Sequence, residues 1–160
     1  NDFLLTITLP ASNTVIQKEL IKGDSVSLMA MGNEQPLDEK TKQRIKAAAM
    51  PVPEIQYEAS GKDVTLQPTM AKVDGKDAYV LEMSNEEGAS TKEYFDAETG
   101  LKLKKEIASP SGPQTTSFSD YKEVNGVKFP YSMTVSSQVD IPFKVTDIKI
   151  NSGLKDDDFK

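Results

Sequence analysis

Turn-forming pairs between residues 92 and 136 are the feature that most constrains the fold of this chain. They are Thr99-Gly100, Ser111-Gly112 and Asn125-Gly126, and they separate strand-length runs at 93–95, 101–107 and 128–135. The Asn-Gly pair is the strongest signal, because a two-residue hairpin turn of type I′ needs positive φ at both central positions. The stretch therefore predicts a meander of antiparallel strands.

Alternating apolar residues predict further strands on both sides of the meander. They lie at 3–9, 14–21, 25–31, 54–57, 63–67, 70–73, 78–83 and 143–150. The spacing becomes helical only after Pro36, where Leu37, Thr41 and Ile45 recur on one side of a helix that Asp38 caps, and a Pro-Val-Pro sequence at 51–53 ends it. The pattern predicts a curled, mostly antiparallel sheet of about nine to eleven strands with one short amphipathic helix.

Three local signals refine this topology. Asp74-Gly75 predicts a second tight hairpin. Asp96 begins a reverse turn in which its carboxylate is expected to accept hydrogen bonds from backbone amides. Pro130 cannot donate to a strand ladder, so its strand is expected at a sheet edge or at a bulge.

Composition excludes several classes of function. The 160 residues fit a single domain spanning 1–160. Cysteine and histidine are absent, which removes disulfides, thiolate metal sites and every nucleophile–histidine pair, so we predict no cofactor, no metal and no catalysis. The net charge of −6 opposes binding to nucleic-acid phosphates. No apolar run approaches the ~20 residues of a spanning helix, so no transmembrane segment is predicted.

The predicted helix carries the one concentrated basic patch of the sequence, formed by Lys40, Lys42, Arg44 and Lys46. A functional interpretation has this patch contact anionic lipid headgroups or an acidic partner. The alternative, which we favour, is a solvated surface, because the helix is short and its apolar stripe is mostly alanine.

Eight apolar residues at strand spacing are the candidate ligand-binding residues. Methionine thioethers are flexible and polarizable, so such rows can line an adaptable apolar groove. Ordinary core packing is the alternative, since most buried methionine and aromatic side chains only fill space. The eight are Met29, Met31, Tyr79, Leu81, Met83, Phe129, Tyr131 and Met133.

Several longer motifs resemble a known family. They are YFDAETGL at 94–101, DYKEVNGVKFPYSM at 120–133 and INSGLKDDDFK at 150–160, together with VPEIQY at 52–57 and VDGKDAYVLEM at 73–83. This combination resembles the LolA-like lipoprotein-carrier fold of Gram-negative periplasmic and outer-membrane proteins. It is similar in particular to the version that follows the peptidase halves of some secreted insulinase/pitrilysin-type zinc proteases.

The resemblance implies a mainly β (α+β) fold, in which a strongly curved antiparallel sheet forms an open half-barrel with the helix packed on it. In the carriers, helices close that half-barrel over an apolar cavity that receives acyl chains. It further implies a periplasmic or outer-membrane-associated, secreted protein. The chain is expected to be a fragment of a longer polypeptide that lacks its upstream strands, with peptidase domains as possible partners. The peptidase motif HxxEH needs two histidines, so no catalytic residue carries over.

We therefore predict a non-catalytic envelope domain of a zinc-peptidase-like protein that binds a lipid tail or a hydrophobic peptide in an apolar groove lined by some of the eight residues. The alternative is a structural or docking module with a self-filled core and no ligand. Such a module would present an exposed apolar patch to a neighbouring domain.

Overall fold

The computed structural model describes residues 2–9, 12–50, 52–57, 63–84, 90–108, 112–150 and 155. Within them the chain forms twelve strands, one α-helix and one 3₁₀ helix. Contacts divide the chain into two compact units, unit 1 (Asn1–Ile55 and Gly153–Lys160) and unit 2 (Gln56–Ser152). The single domain over 1–160 stays a prediction.

Unit 1 contains a four-stranded antiparallel sheet followed by the helix. Its strands are β1 (Phe3–Leu9), β2 (Thr14–Lys22), β3 (Ser25–Ala30) and β4 (Asn33–Glu34), and they are arranged in sequence order. Helix α1 (Glu39–Ala48) begins after Asp38, whose carboxylate accepts a hydrogen bond from the Thr41 amide at 2.7 Å, as predicted for an N-cap. The described residues contain no helix with the length and apolar character needed to cross a bilayer.

Unit 2 contains an eight-stranded antiparallel sheet. Its order is β12-β11-β10-β9-β8-β7-β5, and β6 also pairs with β7. The mainly β class with antiparallel pairing and one helix is confirmed, and neither sheet closes into a barrel within the described residues. The strands are β5 (Asp63–Leu66), β6 (Ala71–Val73), β7 (Lys76–Ser84), β8 (Ser90–Asp96), β9 (Lys102–Ile107), β10 (Gln114–Val124), β11 (Val127–Ser136) and β12 (Asp140–Lys144).

The predicted turns set the register of this sheet. Both residues of Asp74-Gly75 and of Asn125-Gly126 have positive φ, as a type I′ hairpin requires. The Asp96 carboxylate accepts hydrogen bonds from the amides of Glu98 (2.9 Å) and Thr99 (3.1 Å), which confirms the predicted turn. These bonds, together with the ammonium group of Lys76, hold the pKa of Asp96 below its usual value.

Replacing Gly126 with alanine is expected to lower the free energy of unfolding by about 1 kcal/mol, because alanine resists positive φ. Gly126 has a φ of 82°, and a Cβ added there would meet nothing within 4 Å, so backbone strain alone produces the loss. Urea denaturation measures the effect. Asn125→Gly is the control and should change stability by less than about 0.5 kcal/mol. Equal losses in the two variants would contradict the turn assignment.

Some element predictions were wrong. The strands belong to two sheets in the described residues rather than to one. Residues 54–57 do not form a strand: Pro53–Gln56 is a 3₁₀ helix, consistent with the preference of proline for a first helical position. The last strand ends at Lys144, so Ile148 and Ile150 lie outside it. The predicted turn residue Ser111 and helix stop Pro51 lie outside the described residues.

The prediction for Pro130, an edge or a bulge, is confirmed through its second alternative. Strand β11 lies between β10 and β12, so Pro130 is not on an edge strand. The register passes from the pair Ser119–Ser132 to the pair Tyr121–Pro130, which leaves Asp120 as an extra residue with a φ of 53°. The missing proline N–H is therefore accommodated at a β-bulge.

Candidate functional site

One side of the unit 2 sheet gathers aromatic and other apolar side chains. Residues that pair directly across antiparallel strands point to the same side of a sheet. Tyr79 pairs with Phe95, Met133 pairs with Phe118, and Met133 also pairs with Phe143. The Lys102 ammonium lies 5.4 Å from the ring centre of Phe95 and 6.0 Å from that of Phe118, which joins the two groups. We call this side the aromatic face; its apolar members include Tyr79, Leu81, Met83, Phe95, Phe118, Phe129, Tyr131, Met133, Val135, Ile141 and Phe143.

Six of the eight predicted site residues lie on the aromatic face, three on β7 and three on β11. On β7, Met83 is buried and Tyr79 is 48% exposed. The three residues of β11 are each half-buried. Strands β8, β9 and β10 separate β7 from β11, a distance of roughly 19 Å at ~4.8 Å per strand. The two predicted groups are thus separate patches of one surface, and Phe95 and Phe118 lie between them.

Met29 and Met31 belong to unit 1, and they do not share a strand. Met29 lies on β3 and is 39% exposed. Met31 is 70% exposed and follows the end of β3, in a turn where both Met31 and Gly32 have positive φ. The predicted strand over 25–31 was therefore one residue too long, because the turn into β4 begins at Met31.

A buried carboxylate lies near the middle of the aromatic face, and the sequence patterns did not single it out. The side chain of Glu93 is 1% exposed. Its Oε2 accepts a hydrogen bond from the Tyr57 hydroxyl at 2.5 Å and lies 2.7 Å from the Lys102 ammonium. Its Oε1 lies 3.4 Å from the ammonium of Lys105, which pairs with Glu93 across the β8–β9 ladder. We call Tyr57, Glu93, Lys102 and Lys105 the Glu93 cluster.

The charge of Glu93 is stabilised within this cluster. Burial alone would raise the pKa of Glu93, but the hydrogen bonds from Lys102 and Tyr57 and the charges of Lys102 and Lys105 hold it below its usual value. Glu93 is therefore ionised at neutral pH despite its burial. The sequence offers one signal for this cluster, namely a glutamate within the predicted strand run at 93–95. A charged side chain at a buried strand position is rare unless it is paired.

The opposite side of the sheet forms a conventional core. Val80 pairs with Tyr94 there, and both pack with Val73 and Ala78. The Tyr94 hydroxyl donates a 2.6 Å hydrogen bond to Glu106. Burial and this bond raise the pKa of Tyr94 to about 12. This core covers part of the side only, since Lys92 and Glu106 on the same side are 45% and 38% exposed. The aromatic face differs in keeping large apolar groups partly in contact with solvent.

Two clefts, each of about 420 Å³, lie away from the predicted residues. One is in unit 1, between β3 and the start of α1, and Val26 and Leu37 contribute to its lining. The other is in unit 2, near the bulge at Asp120, and is bordered by Lys76 and Asp96. None of the eight predicted residues lines either cleft. Among the described residues, no group of three acidic side chains is arranged to hold a metal ion.

Neither a protein-family model nor a curated protein matches this sequence. Solved structures do resemble its fold. A LolA superfamily protein from Nitrosomonas europaea aligns with a TM-score of 0.60 at 20% identity, over 100% of this chain and 76% of the other. A DUF1329 family protein from Desulfovibrio piger aligns with a TM-score of 0.65 at 16% identity, with the same coverage.

A third structure is an outer membrane lipoprotein-sorting protein domain from Vibrio parahaemolyticus. It aligns with a TM-score of 0.52 at 18% identity, over 98% of this chain and 63% of that one. At these identities the likeness concerns fold and not activity. The LolA-like fold that the sequence motifs predicted is thereby confirmed.

Proposed function

We propose that this chain is a non-catalytic envelope domain that binds a lipid tail or a hydrophobic peptide on the aromatic face. The observation that carries the proposal is the apolar content of that face: large apolar side chains of β7, β8, β10, β11 and β12 lie on one side of the sheet, and most of them stay partly exposed. Tyr79 is 48% exposed, and Ile141, which pairs with Val135 at the far edge, is 52% exposed. Extended apolar surface of this kind marks a binding site more often than a solvated face.

The chemistry of the face suits a flexible apolar guest. Methionine and phenylalanine offer shape and dispersion contacts but few fixed hydrogen bonds, so they accept a chain in more than one conformation. Met133 is flanked by Phe118 and Phe143 in one cross-strand row. The six predicted residues on the aromatic face remain proposed contacts of this ligand. Met29 and Met31 belong to unit 1, and a ligand contact there stays a separate proposal.

The location and the parent protein are also part of the proposal. One of the proteins with a similar fold is an outer membrane lipoprotein-sorting domain, and this supports a periplasmic or outer-membrane-associated location. The zinc-peptidase-like parent is supported by the motif resemblance at 94–101 and 120–133 alone. Fractionation of cells expressing the full-length parent gene, followed by identification of the regions flanking this segment, tests both points.

Binding of saturated fatty acids is expected to strengthen with chain length. Each buried methylene contributes about 0.8 kcal/mol, so affinity should rise roughly fourfold per added carbon. The rise should stop when the acyl chain is longer than the apolar face. Titration calorimetry with fatty acids of increasing length, each below its critical micelle concentration, measures this slope. Affinity that does not change with length, or no binding at any length, would contradict an acyl-binding face.

A docking module without a ligand is the second candidate function. The observation that favours it is exposed apolar surface in unit 1, where Met31 is 70% and Ile55 is 80% exposed. The docking hypothesis predicts that the remainder of the parent polypeptide binds this chain and that Met31→Ser weakens this complex. The lipid hypothesis predicts instead that fatty acids raise the melting temperature of the isolated chain.

A further inference from the structure

The Glu93 cluster places charged groups among the apolar side chains of the aromatic face. An apolar face that served tails alone would need no charge, yet two lysine ammonium groups here share one carboxylate. Lys102 lies 2.7 Å from Glu93, whereas Lys105 lies 3.4 Å from it. The tighter pair is therefore Glu93–Lys102, and Lys105 is the cation that Glu93 holds more weakly.

Lys105 is also the outermost cation of the cluster. Its side chain is 36% exposed, against 13% for Lys102 and 1% for Glu93. A ligand lying on the aromatic face can therefore reach the Lys105 ammonium without displacing the buried pair. By contrast, Lys122 elsewhere on this face lies 3.2 Å from Asp120 and 4.5 Å from the ring centre of Tyr131.

An apolar row begins next to Lys105. Lys105 pairs with Thr116 on β10, and Phe118 follows two residues later on the same side. From Phe118 the row continues through Met133 to Phe143, that is, from β10 to β12. From Phe118 on β10 to Phe143 on β12 the row spans two strand spacings, roughly 10 Å, and Lys105 lies on β9, one spacing before it. A cationic position and a tail-sized apolar strip thus lie side by side on one surface.

We propose that the aromatic face takes an amphiphile with one anionic headgroup, which pairs with Lys105 while its acyl chain lies along Phe118, Met133 and Phe143. This inference rests on the proposed function and adds the headgroup chemistry to it. The chain as a whole carries a net charge of −6, so recognition of an anion depends on a local cation and not on the overall field. Carboxylate and phosphate monoester headgroups share the required charge and acceptor oxygens.

The test compares three ligands of one chain length: dodecanoate, dodecyl phosphate and the neutral dodecan-1-ol, each below its critical micelle or solubility limit. Calorimetry or displacement of an environment-sensitive dye gives the affinities. We expect both anions to bind the wild-type protein about tenfold more tightly than the alcohol, with a difference that shrinks at high salt. Their ratio distinguishes a carboxylate from a phosphate as the better headgroup.

The Lys105→Gln variant tests whether Lys105 binds the headgroup, and Lys92→Gln is its control. Lys92 lies on the adjacent strand β8, on the other side of the sheet, with a 45% exposed side chain and Glu82 at 3.8 Å. We expect Lys105→Gln to weaken both anions about tenfold and to leave the alcohol unchanged. Lys92→Gln should change none of the three affinities.

The outcomes separate the two proposals. If the wild-type protein binds the alcohol as tightly as the anions, or if Lys105→Gln weakens all three equally, the headgroup inference is wrong while the acyl-binding function stands. If the wild-type protein binds none of the three, both are wrong. The wild-type comparison decides the headgroup question even if the variant fails to fold.

Discussion

Glu93→Gln is expected to lower the free energy of unfolding by about 3 kcal/mol, because it leaves the Lys102 charge buried without its counter-charge. Lys102 is 13% exposed and lies 2.7 Å from Glu93, so little water can replace the lost carboxylate. The glutamine amide would also bring donors toward the Tyr57 hydroxyl and the two ammonium groups, which are donors themselves. Chemical denaturation of the wild-type and variant proteins measures the loss.

Glu106→Gln is the matched control, because Glu106 has partners of the same kinds on the other side of the sheet. It accepts a hydrogen bond from Tyr94 at 2.6 Å and lies 2.8 Å from Lys104. Its side chain is 38% exposed, so solvent screens the pair, and the variant should lose less than about 1 kcal/mol. Equal losses in the two variants would show that burial of Glu93 does not determine its contribution.

The pH dependence of stability provides a second measurement on the same residue. The folded-state pKa of Glu93 lies below its ordinary value of 4.5. A carboxyl group with a depressed pKa stabilises the fold above its unfolded-state pKa, and that contribution is lost as the pH falls through the folded-state pKa. The stability difference between wild type and Glu93→Gln should therefore be full at pH 7 and shrink below pH 4.5. A difference that stays constant in acid would contradict an ionised Glu93 in the folded protein.

The turns and the helix could be predicted because their signals are local. Asn125-Gly126 and Asp74-Gly75 each set a hairpin through the φ angles that their residues tolerate, and Asp38 caps α1 through one hydrogen bond three residues away. The division of the strands into two sheets depends on contacts between distant segments, which periodicity does not encode. Strand β10 was not among the predicted strand runs, because its residues are largely polar and its neighbours β9 and β11 hold it in the sheet.

The candidate site could be predicted in part. Strand alternation correctly placed Tyr79, Leu81 and Met83 on one side of β7, because a side-chain period of two follows from backbone geometry. It could not show that this side is continuous with Met133, since that depends on the register of the intervening strands. Nor could it show the Glu93 cluster, because Tyr57 and Glu93 are 36 positions apart in the chain.

Beside the Glu93 cluster, the aromatic face has a strip whose own residues carry no charge. The Phe118–Met133–Phe143 row contains no ionisable group, while the next cross-strand pair along the same side is Val135–Ile141. A charge introduced into this strip would be covered by a bound tail, and it would have no cation opposite it in that row. The strip is therefore the place where one substitution should separate acyl binding from folding.

Met133→Glu is expected to weaken binding of dodecan-1-ol at least 100-fold, because a tail lying over the new carboxylate removes its water without supplying a hydrogen bond, at a cost of roughly 3 kcal/mol. A neutral ligand is used so that repulsion between charges does not contribute. In the free protein Met133 is only half-buried, so the glutamate can stay solvated, and the fold should survive with a loss of at most about 2 kcal/mol. Calorimetry measures the affinity and circular dichroism confirms the fold.

Thr134→Glu is the control for this variant, since it adds the same charge to the neighbouring residue on the other side of β11. Thr134 pairs with Ser117 and Pro142, away from the aromatic face. The affinity of the Thr134→Glu variant for dodecan-1-ol should stay within about twofold of the wild-type value. Surface substitutions away from a site shift free energies by less than ~0.5 kcal/mol. Equal losses of affinity in both variants would indicate that the added charge weakens binding by destabilising or distorting the sheet, and not by lying under the tail. Unchanged affinity in Met133→Glu would place the tail elsewhere and remove the aromatic face as the binding site.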